Sequence, residues 1–117
     1  MEIQEHSTGT VIVFELRGRL TLECFGRLKD RVRDLVEQGG RRLVLDLSGV
    51  SYVDSIGVSE LVRSHVIVDN HGGHLALATM PAQITQLLRV TRLDQIFDRF
   101  GTVAQAIEHV VRTDHDR

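Results

Sequence analysis

The chain of 117 residues contains a single cysteine, Cys24, and therefore cannot form an internal disulfide. No apolar run approaches the length of a membrane-spanning helix, and the N-terminus lacks the basic-then-apolar pattern of a secretion signal. The net charge is −2 and the basic residues are scattered, so nothing indicates a nucleic-acid-binding surface. These absences predict a small cytoplasmic protein of a reducing compartment, with no membrane or nucleic-acid partner.

The common signatures of catalysis are also missing. No glycine-rich phosphate loop of the GxxxxGK type is present, and Cys24 has no obvious partner to activate its thiol. His71 and His74 bracket two glycines, but a histidine pair without further ligands close by is more typical of a turn than of a zinc site. We therefore expect no enzyme activity, no metal and no cofactor.

Hydrophobic periodicity predicts one α/β domain over residues 1–117, with a frayed polar tail from about residue 113. Its elements follow the order β-β-α-β-α-β-α-β-α, which favours a mixed, mostly parallel sheet of four to five strands packed with about four helices. Strands are expected at residues 1–8, 11–16, 42–47, 74–78 and 96–97. The first helix is expected from Thr21 to the pair Gly39-Gly40, with Leu22 and Phe25 in its buried stripe.

The stretch from residue 45 to residue 61 organises the chain. A buried strand is followed by a turn at Gly49, and then by a helix that Asp54 or Ser55 can cap. A serine hydroxyl thus stands at a helix N-terminus, where free backbone N–H groups and the helix dipole favour a negative group. This placement suits a serine that receives a phosphate, although a plain helix cap explains the same residues.

The segment Asp54-Ser55-Ile56-Gly57-Val58, directly after that strand and turn, resembles the signature of STAS domains. More narrowly, it is similar to the bacterial anti-sigma factor antagonists, and the element order matches over nearly the whole chain. The resemblance implies a phosphorylated Ser55, with Asp54, Gly57, Asp46 and Thr21 in its surroundings.

The resemblance also implies partners. The unphosphorylated form would bind an anti-sigma factor that is a serine kinase and so free a sigma factor. The kinase would then phosphorylate Ser55 with ATP, and a serine phosphatase would reverse the modification. We expect a monomer or a weak dimer.

Two positions depart from the family pattern. Thr21 stands where many antagonists carry an acidic residue, and Ile56 stands where relatives often carry a second hydroxyl. These departures leave open a second hypothesis, a STAS module that serves as a scaffold or accessory binding domain without phosphorylation.

One face of the helix after Ser55 is a candidate partner surface. Ile56, Ser59, Arg63 and Ile67 recur at helical spacing beside the inward-facing stripe. Two isoleucines on an otherwise polar face suggest contact with another protein. Because relatives bind through this end of the helix, we expect the anti-sigma factor to dock here.

Asp46 invites two further hypotheses, because it is expected at the end of the central strand, where ligands often bind in such sheets. An aspartate-phosphorylated receiver domain would need an acidic pair and a late lysine, but the only lysine is Lys29 in the first helix. A small enzyme or metabolite-binding domain that uses this edge of the sheet remains open.

Overall fold

The sheet has five strands in the order β1-β2-β3-β4-β5. The computed structural model describes residues 1–115, with side chains to residue 112. The strands are β1 (Glu2–Thr8), β2 (Val11–Leu20), β3 (Arg42–Val53), β4 (His74–Ala78) and β5 (Asp98–Phe100). Only β1 and β2 are antiparallel, and every other neighbouring pair is parallel. The prediction of a mixed, mostly parallel sheet is confirmed.

Four α-helices pack on the two faces of this sheet. They are α1 (Arg27–Glu37), α2 (Ser55–Asn70), α3 (Ala82–Val90) and α4 (Val103–His115), and a short 3-10 turn spans Leu22–Cys24. Buried apolar residues of α1, α2 and α3 form one core with the sheet, and those of α4 form a second core. The backbone of α4 extends into the expected polar tail, whose residues 116 and 117 lie outside the described residues.

The strands β2 and β3 are longer than predicted. Gly18 does not end β2, and Gly49 does not form a turn, because both glycines lie inside the parallel ladder. The ladder contains two register shifts here, and Gly18 adopts a φ of 101°. A Cβ on Gly49 would lie 2.9 Å from the Leu16 carbonyl oxygen, so glycine lets the two strands approach. Residues 48–53, among which Val50 and Val53 are buried, therefore extend the strand that was predicted to stop at residue 47.

The first helix does not begin at Thr21, as the apolar stripe predicted. Gly26 has a φ of 86°, which interrupts the chain between the 3-10 turn and α1. As a result, Leu22 and Phe25 are not in the core but are 64% and 56% exposed. The last strand also lies two residues later than expected. Phe97 is buried in the core but precedes the strand, which begins at Asp98.

Within residues 1–115, no helix has both the length and the apolar character needed to cross a membrane.

Candidate functional site

The candidate site lies where β3 passes into α2. Asp54 is the N-cap, and its Oδ1 accepts a hydrogen bond from the Gly57 N–H at 2.8 Å. Ser55 is the first residue of the helix and is exposed. The structure therefore assigns the capping role to Asp54 and leaves the Ser55 hydroxyl facing solvent.

The end of β2 packs tightly against this helix start. The Asp54 N–H donates to the Leu20 carbonyl at 3.3 Å, and the Leu22 N–H donates to Asp54 Oδ2 at 3.1 Å. A Cβ on Gly57 would lie only 2.0 Å from the Leu20 carbonyl oxygen. This close approach explains in physical terms why the third residue after the cap is a glycine.

Asp54 is ionised in this setting. The Gly57 N–H is the main cause that lowers the pKa of the Asp54 carboxyl, and the Leu22 N–H adds to it. Both carboxylate oxygens are therefore engaged by backbone donors. Asp54 organises the backbone around Ser55 and is not poised to take a proton from the serine hydroxyl.

Thr21, which was predicted to lie near the phosphosite, stands between Leu20 and Leu22, the two residues whose backbones bond to Asp54. Its side chain is nonetheless buried, with 6% exposure. The buried Cys24 thiol donates to the Thr21 carbonyl at 3.0 Å. Thr21 thus contributes packing next to the site, whereas an acidic residue at this position would need contact with solvent or a partner.

Two surface grooves meet at Ser55, and Leu87 of α3 also borders both. The β3–α3 groove, of about 470 Å³, includes Tyr52 and Val90, and Val90 is 73% exposed. The α2–α3 groove, of about 460 Å³, includes Val58, Ser59, Val62 and Arg63. The serine is therefore surrounded by accessible apolar surface of the kind that marks protein interaction sites.

The predicted partner face is only partly a free surface. Ser59 and Arg63 are exposed in the α2–α3 groove, and Ile56 is half-buried next to Ser55. Ile67 is half-buried and packs against the core, at the far end of the same face. The structure thus brings Ile56, Ser59 and Arg63 towards Ser55 and gives Ile67 a largely structural environment.

Asp46 lies apart from this site. It is in the middle of β3, seven residues before Val53, which corresponds to roughly 20 Å along a strand. Burial raises the pKa of its carboxyl, but hydrogen bonds from the Thr79 hydroxyl and the Ser48 N–H outweigh this effect and lower it. The longer strand removes the reason for grouping Asp46 with Ser55, and we leave it out of the candidate site.

Glu60 of α2 is fully buried, and its structural role was not predicted from the sequence. Its Oε1 accepts hydrogen bonds from the N–H groups of Gly26 at 3.0 Å and Lys29 at 3.4 Å, so it caps α1 from a neighbouring helix. Gly26 is the N-cap of α1 and has no side chain to do this. In the sequence, a glycine at the start of one helix and a glutamate on the inward face of another could have indicated that the glutamate caps the first helix.

Asp54 and Glu60 together fix the segment of residues 22–26. Asp54 bonds the backbone of Leu22 at one end, and Glu60 bonds that of Gly26 at the other. The exposed side chains of Leu22 and Phe25 are consequently held beside the start of α2. These two residues add exposed apolar side chains to the segment that Asp54 and Glu60 hold in place.

The chemistry of this site is that of an acceptor and a binding surface. Among the residues that the structure describes, no group of histidine, cysteine or acidic side chains is arranged to hold a metal. His71, at the end of α2, forms a hydrogen bond between its Nδ1 and the Ile67 carbonyl oxygen at 2.8 Å, as is typical of a helix end. An exposed hydroxyl at a capped helix start can receive a group that a separate protein, acting as the enzyme, transfers to it.

The comparisons with known proteins agree with this architecture. The STAS domain model matches residues 2–106. The anti-sigma-B factor antagonist of Bacillus subtilis is 34% identical over 87 residues, which are 74% of this chain and 79% of that protein. The crystal structure of a candidate anti-sigma factor antagonist from Thermotoga maritima superposes with a TM-score of 0.86 at 25% identity, covering 92% of this chain and 93% of that one.

A more distant likeness shows the same fold. The Bacillus cell fate determinant SpoIIAA, solved in its phosphorylated form, is 18% identical with a TM-score of 0.72, covering 93% of this chain and 99% of that one. The family model and the Bacillus subtilis relative both extend over most of the chain, and the residues matched by the family model include the whole candidate site. This chain therefore belongs to the STAS domain family and is related to the anti-sigma factor antagonists.

Proposed function

We propose that this protein is a cytoplasmic anti-sigma factor antagonist that is switched by phosphorylation of Ser55. The unphosphorylated form binds an anti-sigma factor with serine kinase activity and thereby releases a sigma factor. The observation that carries the proposal is the exposed Ser55 at the capped start of α2, where two grooves with accessible apolar side chains meet.

The names of similar proteins support this role. The Bacillus subtilis relative is an antagonist of an anti-sigma factor, and SpoIIAA has been solved in a phosphorylated form. In the proposed cycle, the bound anti-sigma factor uses ATP to phosphorylate Ser55 and a phosphatase restores the hydroxyl. The protein is then a substrate and a binding partner and catalyses no reaction.

The physical effect of the phosphate follows from its position. A phosphoserine adds a charge of about −1.5 to −2 at neutral pH. At a helix N-terminus, a negative group is stabilised by about 0.3–1 kcal/mol, so the modification should not unfold α2. The neighbouring Asp54 carboxylate offsets part of this gain by repulsion.

Inhibition therefore comes from the interface. A partner that covers Ser55 and the adjoining grooves would remove water from an unpaired dianion, which costs several kcal/mol. Loss of that amount is enough to weaken a complex at least roughly tenfold, since each 1.4 kcal/mol corresponds to a factor of ten. The phosphate blocks binding while the fold is retained.

Phosphorylation tests the proposal directly. The purified protein is incubated with ATP and a lysate of the source organism, and its intact mass and modified position are measured. We expect one added phosphate on Ser55 and none on the Ser55→Ala variant. Ser51→Ala and Ser59→Ala are matched controls that should still be modified, and phosphate on Ser51, Ser59 or Thr21 of the wild type would contradict the assignment.

A STAS module that binds its partner without phosphorylation is the second candidate. It is favoured by the buried Thr21 and the half-buried Ile56, which replace polar groups expected beside a phosphoserine. In that case the wild type would gain no phosphate in the lysate. Ser55→Ala and Ser55→Asp would then bind the same partner equally well.

A further inference from the structure

Arg63 stands in the same groove as the proposed phosphoacceptor. Ser55, Ser59 and Arg63 follow each other at four-residue intervals on α2, and all three line the α2–α3 groove. Each interval corresponds to about 6 Å along a helix. Because helical side chains extend towards the N-terminus, the long Arg63 side chain covers the turn that contains Ser59. Its guanidinium can therefore come within about one helical turn of Ser55.

No carboxylate neutralises this guanidinium in the part of the chain that the structure describes. The ion pairs found among the described residues involve basic side chains other than Arg63, such as Arg31 with Glu5 and Arg112 with Glu108. The α3 side of the groove is formed by the uncharged residues Leu87, Thr91 and Leu93. Arg63 is thus an exposed cation in a groove that contains a serine and no acid.

We infer that Arg63 is the internal counter-ion of a phosphate on Ser55. This inference rests on the proposed function and names the residue that regulates the same site. A guanidinium about 6 Å from a phosphate favours its dianion through charge attraction, without a direct hydrogen bond. In the phosphorylated protein this attraction also draws Arg63 away from the surface offered to the partner, so one modification changes two elements of the interface.

Other charges near Ser55 have to be separated from this effect. Asp54 repels the phosphate, and Glu23 is an exposed acid on the neighbouring 3-10 turn. Arg19 lies over the ring of Tyr52 at 5.1 Å, and Tyr52 lines the other groove that reaches Ser55. Arg89 of α3 borders a different groove, which does not include Ser55. Arg19 is therefore the competing cation, and Arg89 is a matched control.

The experiment installs phosphoserine at position 55 during synthesis of the full chain, so that it does not depend on any kinase. Phosphorus NMR then follows the second ionisation of the phosphate, whose midpoint is near pH 6 in an isolated phosphoserine. The wild-type background is compared with Arg63→Gln, Arg89→Gln and Arg19→Gln. Amide spectra check that each variant keeps the fold.

A cation about 6 Å away favours the dianion, so we expect Arg63→Gln to raise the titration midpoint by roughly half a pH unit. Salt at 1 M should remove most of this difference, because it screens charges beyond about 3 Å. Arg89→Gln and Arg19→Gln should leave the midpoint unchanged. An unchanged midpoint in Arg63→Gln, an equal rise in all three variants, or a rise only in Arg19→Gln would overturn the inference. None of these results depends on whether a cellular kinase modifies Ser55.

Discussion

Replacement of Gly57 by alanine tests whether the close contact between β2 and α2 builds the site. In the native structure, the Cβ of an alanine at this position would lie 2.0 Å from the Leu20 carbonyl oxygen and 2.9 Å from its carbonyl carbon. Ordinary contacts between carbon and a carbonyl oxygen are about 3.3 Å or longer. The backbone at the end of β2 or the start of α2 must therefore move by more than an ångström.

Two opposing effects set the size of the change. Alanine favours a helix over glycine by about 0.8–1 kcal/mol, so propensity alone predicts that Gly57→Ala is stabilising. Overpacking typically costs about 1–3 kcal/mol, and a clash with buried backbone belongs at the upper end of that range. We expect a net loss of about 2 kcal/mol in the free energy of unfolding, which corresponds to roughly 8 °C in the thermal midpoint of a domain of this size.

Urea denaturation and thermal melts of the two proteins measure this loss. Gly101→Ala is the matched control, because the nearest atom to its new Cβ would be the flexible Gln105 side chain at 3.7 Å. The control should change the stability by less than about 1 kcal/mol. If Gly57→Ala were as stable as the wild type or more stable, then helix propensity would outweigh the contact, and the explanation for the glycine would be wrong.

Three further predictions concern the neighbouring residues. Glu60→Ala removes the acceptor for two backbone N–H groups at the start of α1, so urea unfolding should show a loss of about 1–3 kcal/mol in the free energy of unfolding. Glu60→Gln keeps one carbonyl oxygen as an acceptor and should lose less. Equal losses in the two variants would argue against the cap. The folded-state pKa of Asp54 is lowered, so its contribution to stability is complete above the unfolded value near pH 4 and is lost as the pH falls through the folded value. Asp54→Asn keeps an N-cap oxygen but does not titrate, so its urea midpoint should fall less than that of the wild type between pH 5 and pH 2, and parallel curves would contradict this. Ile56→Asp and Arg63→Glu should weaken capture of the anti-sigma factor without lowering the thermal midpoint. The control Arg99→Glu, on β5, should change neither the capture nor the thermal midpoint. Unchanged capture by Ile56→Asp and Arg63→Glu would place the interface elsewhere.

The sequence was sufficient for the order of elements and for the start of α2. Apolar and helical patterns marked the strands and helices, and Asp54 and Ser55 marked the start of α2, where Asp54 is the N-cap. These features depend on residues that are near each other in the chain. The serine at the helix start could therefore be predicted before its surroundings were known.

Features that depend on distant residues could not be predicted in the same way. The helical pattern of Leu22 and Phe25 continues into α1, but the φ of 86° at Gly26 breaks the helix and exposes both side chains. The two serines and the glycine after Leu47 are typical of a loop, yet pairing with β2 keeps residues 48–53 in the sheet and separates Asp46 from Ser55. Hydrogen bonds formed across the fold decided both outcomes against the local pattern.

Glu60 shows the same limit for a single side chain. An isolated glutamate on a helix is most often exposed, whereas this one is fully buried because the N–H groups it binds belong to α1, more than thirty residues earlier. A helix start without a capping side chain has to find its acceptor elsewhere. Unsatisfied backbone groups at one helix can therefore point to a buried polar residue on another.

Partner capture by three forms of the protein is the most direct measurement of the proposed switch. Wild-type protein, Ser55→Ala and protein with phosphoserine at position 55 are immobilised and exposed to the same lysate without added ATP, and the bound proteins are quantified by mass spectrometry. We expect an anti-sigma factor with a serine kinase domain to bind the first two forms equally and the phosphorylated form at least roughly tenfold less. Equal capture of that anti-sigma factor by all three forms, or its absence from the wild type, would contradict the proposed function.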